Sequence, residues 1–194
     1  MGNSCAWVGT EKIYQKYHDT EWGVPVFDSR ALWEKLILDG FQAGLSWITI
    51  LKKREAFQQA FAGFDPNIIA TWGEPEVQTL LATAGIIRHR GKIEATISNA
   101  RVWQVIEQEQ GFDTYLWRWV DFKPVQNSYA THADIPTFDD LSTTISKDLK
   151  KRGLKFCGPK IVYAFMEATG FFNNHTTDCP RHAEVAKLAR SHSR

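Results

Sequence analysis

Cysteine is scarce in this chain: three among 194 residues, an odd number and widely spaced. A disulfide framework is excluded as the source of stability, and a reducing, intracellular setting is expected. A dominant charge is missing too. The 23 basic and 22 acidic residues leave a net charge of +1, so a polyanionic partner has to be met by a local patch. No apolar run approaches the roughly 18 residues of a membrane span. No basic-then-apolar leader opens the chain, and the start, Met1-Gly2-Asn3-Ser4-Cys5-Ala6, has Ala6 where a myristoylation signal wants Ser or Thr. Repeats and low-complexity stretches are absent. These gaps leave a cytoplasmic globular protein with no membrane partner as the expectation. With 43% apolar residues the chain is long enough to build a core without covalent staples. One compact domain is expected over 1–182, and a basic, frayed tail over 183–194.

What is present is helical patterning. Ser29 can cap a stretch to Leu38 in which Leu32, Trp33, Leu36 and Ile37 recur at helical spacing, with Gly40 placed to end it. Ser46 opens a second stretch, Trp47 to Phe61. Asp65-Pro66 and Glu74-Pro75 each read as a cap followed by proline at the first helical position. Arg88 to Gln110 is a long helix closed by Gly111, Thr137 with Asp140 starts a helix that ends before Gly153, and Pro159 to Thr169 is closed by Gly170. The alternation in Ile161-Val162-Tyr163-Ala164-Phe165 is the only strand-like one, and its flanks favour helix. The fold class expected is all-α.

Three constellations could carry chemistry. Between Lys147 and Lys160 lie six basic residues and a single acidic one, Asp148. Within this patch one helix ends at Gly153 and another begins at Pro159 after Gly158. A helix start offers free backbone N–H groups, and glycine lets a phosphate approach closely. Gly153, Lys155, Gly158 and Lys160 are therefore candidate backbone contacts to DNA in a helix–hairpin–helix. A plain helix–turn–helix connection with a solvated face fits the pattern equally well.

The second constellation joins the chain's ends. Cys5, His18, His175 and Cys179 make a closed tetrahedral set for zinc, and His175-x₃-Cys179 is a workable chelating spacing. Two buried thiols and two surface histidines fit the same spacing. A zinc deaminase would need His-x-Glu and Pro-Cys-x-x-Cys, which this chain lacks. Third, Trp7, Tyr14, Tyr17, Trp22, Trp33 and Trp47 crowd the first quarter of the chain around the isolated carboxylate Asp39. Core packing is the reading for Trp33. For the others, core packing stands beside a pocket for a planar heterocycle. The segment from Phe41 through Gln42 and Leu45 to Trp47 could be buried, or could carry a plug for a base stack.

Four stretches carry a resemblance: Tyr17-His18-Asp19-Thr20-Glu21-Trp22-Gly23-Val24-Pro25, Gln42-Ala43-Gly44-Leu45-Ser46-Trp47, Leu51-Lys52-Lys53-Arg54 and Gly85-Ile86-Ile87-Arg88-His89-Arg90-Gly91-Lys92-Ile93. They closely resemble the bacterial DNA-3-methyladenine glycosylase I family, and the resemblance runs from about Cys5 to Cys179. It implies an all-α fold of the helix–hairpin–helix glycosylase superfamily with an added zinc site. By position it implies one structural zinc on Cys5, His18, His175 and Cys179. It also implies a base pocket of Trp7, Tyr14, Tyr17, Trp22 and Trp47, with Gln42 and Leu45 filling the gap left in the duplex. Asp39, Tyr17 and Trp47 would carry the reaction. The family commonly has glutamate at the position of Asp39, and from aspartate, one methylene shorter, the same contact needs a shifted backbone or a water.

Relatives in the wider superfamily carry a catalytic aspartate after the hairpin helix. The only aspartate there, Asp178, sits between two zinc ligands and is poorly placed. The expected function is hydrolysis of the N-glycosidic bond of 3-methyladenine in double-stranded alkylated DNA, by a monomer that frees 3-methyladenine as product. The rivals are a non-enzymatic helix–hairpin–helix DNA-binding module with a structural zinc, and a zinc-dependent hydrolase, which four protein ligands would disfavour.

Overall fold

The computed structural model describes residues 5–191; the Met1–Ser4 start and the last three residues of the expected tail lie outside it. Among the described residues eleven α-helices follow one another: α1 (Lys12–Thr20), α2 (Ser29–Gln42), α3 (Trp47–Leu51), α4 (Arg54–Ala60), α5 (Pro66–Ile69), α6 (Glu74–Ala82), α7 (Arg90–Gln110), α8 (Phe112–Trp117), α9 (Asp140–Lys151), α10 (Pro159–Ala168) and α11 (Pro180–Ser191). Two short strands, β1 (Val125–Gln126) and β2 (Phe172–Asn173), pair in parallel. Two residues are too few to leave an alternating pattern in the sequence.

Helix α2 runs through the middle of the molecule and packs on α3, α7, α8 and α10. Its Leu32, Trp33, Leu36, Ile37, Leu38 and Phe41 are all buried in one apolar cluster that also takes in Phe57, Phe61, Ile93 and Phe165. Trp33, fully buried, is core as expected. No helix among the described residues is long and apolar enough to cross a membrane.

Several expected boundaries move, each for a local reason. Gly40 does not end α2. The helix continues to Gln42, and the missing side chain makes room for the Phe156 loop: a Cβ on Gly40 would lie 3.3 Å from that of Phe156. The end of α2 is secured instead by the buried Lys92 of α7, whose Nζ donates to the carbonyls of Phe41 at 2.8 Å and Ala43 at 2.7 Å. This is a cation at a helix C-terminus, where the orphan carbonyls carry partial negative charge.

The stretch Trp47–Phe61 is two helices, broken at Lys52-Lys53, where Lys53 N–H closes a tighter turn on the Ile50 carbonyl. Glu74 is the first residue of α6 and not its cap, which is Gly73. Helix α9 is capped by Asp139 and not Thr137. Asp139 Oδ1 accepts from the Ser142 N–H at 2.6 Å, and Ser142 Oγ accepts from the Asp139 N–H at 2.9 Å. Within the stretch expected as a tail, α11 extends through Ser191, with Val185 and Ala189 buried.

Gly170 ends the α10 segment as expected, at φ +74°, and a Cβ there would sit 2.4 Å from the Pro25 nitrogen. That close approach lays the chain after α10 against the Val24-Pro25 stretch. It brings the C-terminal residues back onto the N-terminal ones.

Candidate active site

The residues nominated from sequence converge on one cavity of about 240 Å³, lined by Trp7, Tyr14, Tyr17, Trp22, Lys35, Asp39, Gln42, Trp47, His132, Ala164, Glu167 and Ala168. Tyr14 and Tyr17, three apart on α1, both reach it, as helical spacing requires. Trp7 stands edge-on to Tyr14 at 4.8 Å and to Trp22 at 5.1 Å between ring centroids. Tyr17 and Trp47 lie 5.4 Å apart with their planes tilted by 45°. These two rings touch and form one wall; they do not enclose a slot between them. Lys35 Nζ sits 3.8 Å from the centre of the Trp47 ring, a cation–π contact on one face of the indole.

Asp39 is buried, but it is not the isolated carboxylate expected. Its Oδ1 accepts a short hydrogen bond from Lys35 Nζ, one helical turn earlier on α2. Its Oδ2 is one of the few buried side-chain oxygens without a hydrogen-bond partner among the described residues. Burial raises the Asp39 pKa and the Lys35 charge pulls it back, while burial lowers that of Lys35 against the opposing pull of Asp39. Tyr17 is held well above its ordinary value by burial, then by the charges of Asp39 and Glu21.

Sequence reasoning missed Lys35 and Glu167. The i,i+4 spacing of Lys35 and Asp39 was the available signal for the first. Glu167 had none, because its approach to Asp39 depends on how α10 packs on α2. Its carboxyl is pushed up to about 7, chiefly by burial.

Beside the cavity, the loop between α2 and α3 carries Leu45, 43% exposed, with Gly44 before it at φ +82°. The α9–α10 turn packs against the same end of α2 through Phe156 and Gly40. Gly153 takes φ +101°, and the Leu154 and Gly153 N–H groups reach back to the carbonyls of Leu149 and Lys150 at 3.0 and 2.9 Å. This closes α9 in the manner that needs glycine. Asn99 of α7 clamps Lys155 on both sides, its Oδ1 accepting at 2.8 Å and its Nδ2 donating to the Lys155 carbonyl at 3.0 Å. Lys155 and Lys160 are exposed, and Gly158 precedes Pro159 at the start of α10.

Behind the aromatic wall Cys5, His18, His175 and Cys179 come together, all buried, with their ligand atoms within 4.8 Å of one another. The surface-histidine reading is thereby overturned. Sγ–N distances are 3.6 Å for Cys5–His175, 3.6 Å for Cys179–His18 and 3.7 Å for Cys179–His175, and the two ring nitrogens are 3.1 Å apart. Tetrahedral zinc at ordinary bond lengths requires edges of about 3.5 Å between sulfur and nitrogen and about 3.3 Å between nitrogens. The outer partners agree. His18 Nδ1 is 2.7 Å from Asp19 Oδ1 and His175 Nε2 is 3.0 Å from the Trp22 carbonyl, so each ring donates outward and turns its other nitrogen inward. Gly23 allows this approach, since a Cβ there would meet His175 Nε2 at 3.0 Å. The group could hold a metal ion.

The arrangement defines a class: a helical protein with a cavity walled by aromatic side chains and carboxyl groups, beside a basic surface. The chain belongs to the methyladenine glycosylase family, whose family model matches residues 7–182. It is 48% identical over 176 residues to DNA-3-methyladenine glycosylase 1 of Escherichia coli, covering 90% of this chain and 94% of that one. A crystal structure of a 3-methyladenine DNA glycosylase I superposes with a TM-score of 0.90 at 50% identity, over 92% of this chain and 98% of the other. The 3-methyladenine DNA glycosylase I of Staphylococcus aureus, whose structure addresses 3-methyladenine recognition, superposes with a TM-score of 0.89 at 42% identity, over 92% and 95%.

Proposed function

We propose that this chain excises 3-methyladenine from alkylated duplex DNA, using the aromatic cavity as the site for the extruded base. The observation that carries the reading is the cavity itself, in which the Tyr17–Trp47 wall stands next to a buried carboxylate. Tyr17 and Trp47 offer the stacking surface, with Trp7, Tyr14 and Trp22 closing the sides. Asp39 Oδ2, which no donor among the described residues reaches, accepts from the amino group of adenine. Guanine carries an oxygen at that position and is repelled.

The chemistry asks little of the protein beyond this. Adenine methylated at N3 is cationic, so when the bond from C1′ to N9 breaks, its electron pair neutralises the departing base. Water adds to C1′ and gives its proton to solvent. The protein extrudes the nucleotide, holds the base and stabilises the oxocarbenium-like sugar. No general acid is needed, which agrees with the poor placement of Asp178, exposed between the two metal-site residues His175 and Cys179.

Leu45 is the apolar plug for the stack and Gln42, at the cavity's edge, fills beside it. The turn from Gly153 to Gly158, with Lys155 and Lys160, is the helix–hairpin–helix that holds the backbone. Cys5, His18, His175 and Cys179 would bind one structural zinc. With four protein ligands it would supply no reaction chemistry and would tie the two ends of the chain together. One chain carries cavity, plug, hairpin and metal ligands, so a monomer suffices.

The direct test is chromatography of the bases released from methylated DNA: 3-methyladenine is expected, and none would favour the DNA-binding module. A second expectation concerns undamaged duplex, to which binding should be weak, sequence-independent and salt-sensitive. Lys155→Ala or Lys160→Ala should reduce the slope of log affinity against log salt by about one for each lost phosphate contact. An unchanged slope in both variants would place the DNA elsewhere.

A further inference from the structure

We infer that Glu167 is a second recognition residue of the base site and supplies the net negative charge that selects a cationic purine. The inference rests on the cavity being the base site. The ionisable groups lining it are Tyr14, Tyr17, Lys35, Asp39, His132 and Glu167. Lys35 and Asp39 share one short hydrogen bond. As a unit that pair carries no net charge wherever its proton sits, so Asp39 offers an acceptor oxygen but little field. His132 stands at the exposed rim. Glu167 is the one carboxyl of the lining without a cation against it among the described residues.

Its position is prepared. Ala164 and Ala168, on the same side of α10, present only methyl groups to the cavity, so the Glu167 carboxyl is the polar feature of that wall. The fully buried Asn174 holds it: Asn174 Nδ2 donates to Glu167 Oε1 at 2.9 Å and to Tyr163 Oη at 3.0 Å, while Asn174 Oδ1 accepts from Asn127 Nδ2 at 2.7 Å. Oε2 receives no hydrogen bond from the described residues. A tie between α10 and the loop before His175 would need only Oε1. The second oxygen belongs to a residue that lines an aromatic cavity, and no donor among the described residues uses it. A base with a positive charge spread over its ring would use it, and a neutral base would gain much less.

The test measures binding through quenching of the cavity tryptophans. The probes are the 3,9-dimethyladeninium cation, whose charge is fixed, and neutral 9-methyladenine. Glu167→Gln preserves shape and can still accept from Asn174. It is expected to weaken the cation about tenfold or more, the usual cost of losing a hydrogen bond to a charged group, and to leave the neutral probe within about twofold. The double variant Lys35→Met, Asp39→Asn removes the ion pair as a neutral unit and should keep most of the preference for the cation.

Equal cation affinity in wild type and Glu167→Gln overturns the inference, as does an equal loss for both probes, which would mark Glu167 as a strut. Loss of the preference in the double variant also overturns it, by assigning the charge to Asp39. If wild-type protein neither binds the cation nor releases 3-methyladenine from DNA, the base-site reading itself falls and the inference with it. Release by wild type and by Glu167→Gln at one rate, with unchanged binding, removes the inference alone.

Discussion

Cys179→Ser is expected to lower the melting temperature by roughly 10 °C while changing base release per folded molecule little. The size follows from losing about 3–4 kcal/mol in a chain of this length, where each kcal/mol is worth about 2–4 °C. Cys179 is buried 3.6 Å from His18 and 3.7 Å from His175. With Cys5, these residues join segments from opposite ends of the chain across the back of the aromatic wall. Metal analysis of purified protein should give near one equivalent of zinc, and protein stripped of metal should melt as early as the variant. Metal-free protein of unchanged stability would remove the proposal.

Acid should act in the same direction. Burial lowers the His175 pKa from 6.5 to about 3, so the folded chain holds this ring neutral where the unfolded chain protonates it. The contribution is complete above about pH 6.5 and is lost as pH falls toward 3, by at most about 1.4 kcal/mol per pH unit. Protons compete with the metal for the same ligands in that window. Melting curves between pH 7 and pH 5 should show the decline.

Asp39→Asn is expected to slow single-turnover release of 3-methyladenine by about five- to 150-fold, with DNA affinity unchanged; this corresponds to roughly 1–3 kcal/mol for a buried polar contact left unsatisfied. Asparagine keeps the size, but it can turn donors toward the base's amino group. It also leaves the half-buried Lys35 ammonium, held over Trp47, without its counter-charge next to a cationic base. Trp47→Ala should slow release as well, by removing the stacking wall, and should leave the zinc content unaltered because Trp47 lies on α3, away from the four ligands. Equal rates for wild type and Asp39→Asn at equal DNA occupancy would show that Asp39 is not the recognition group.

Much of this molecule is written in local chemistry. The apolar spacing of Leu32, Trp33, Leu36 and Ile37, the Asp65-Pro66 start whose Asp65 Oδ1 accepts from the Asn67 N–H at 2.9 Å, and Gly111 at φ +85° are decided within a few residues. Helices are therefore legible where caps and periodicity agree. A boundary departs from the local signal where a distant partner takes over. Gly40 has the residue type of a helix end, but Phe156 packs against it and Lys92 caps the true terminus. At α9 two pairs of the same spacing compete, Thr137 with Asp140 and Asp139 with Ser142, and the reciprocal hydrogen bonds form in the second.

The candidate site divides the same way. Residue types within the first 47 residues left core packing and a pocket for a planar ring both open, and His175 with Cys179 offered half of a chelate; the family resemblance is what assigned the aromatic set and the four ligands. Whether Cys5 and His18 meet that half depends on the return of the chain at Gly170 against Val24-Pro25, a contact between residues about 145 apart that no local pattern encodes. The charge of the cavity is likewise a tertiary property. Lys35 and Asp39 pair along one helix, but Glu167 reaches the same space only because α10 packs on α2 and Asn174 holds its carboxyl there. The amino-acid sequence by itself determined which chemistries were available and where those helices start whose cap and apolar spacing agree. The packing of α2 against α7 and α10 decided which charged groups share one low-dielectric cavity, because electrostatic interaction depends on distance and burial and not on separation along the chain.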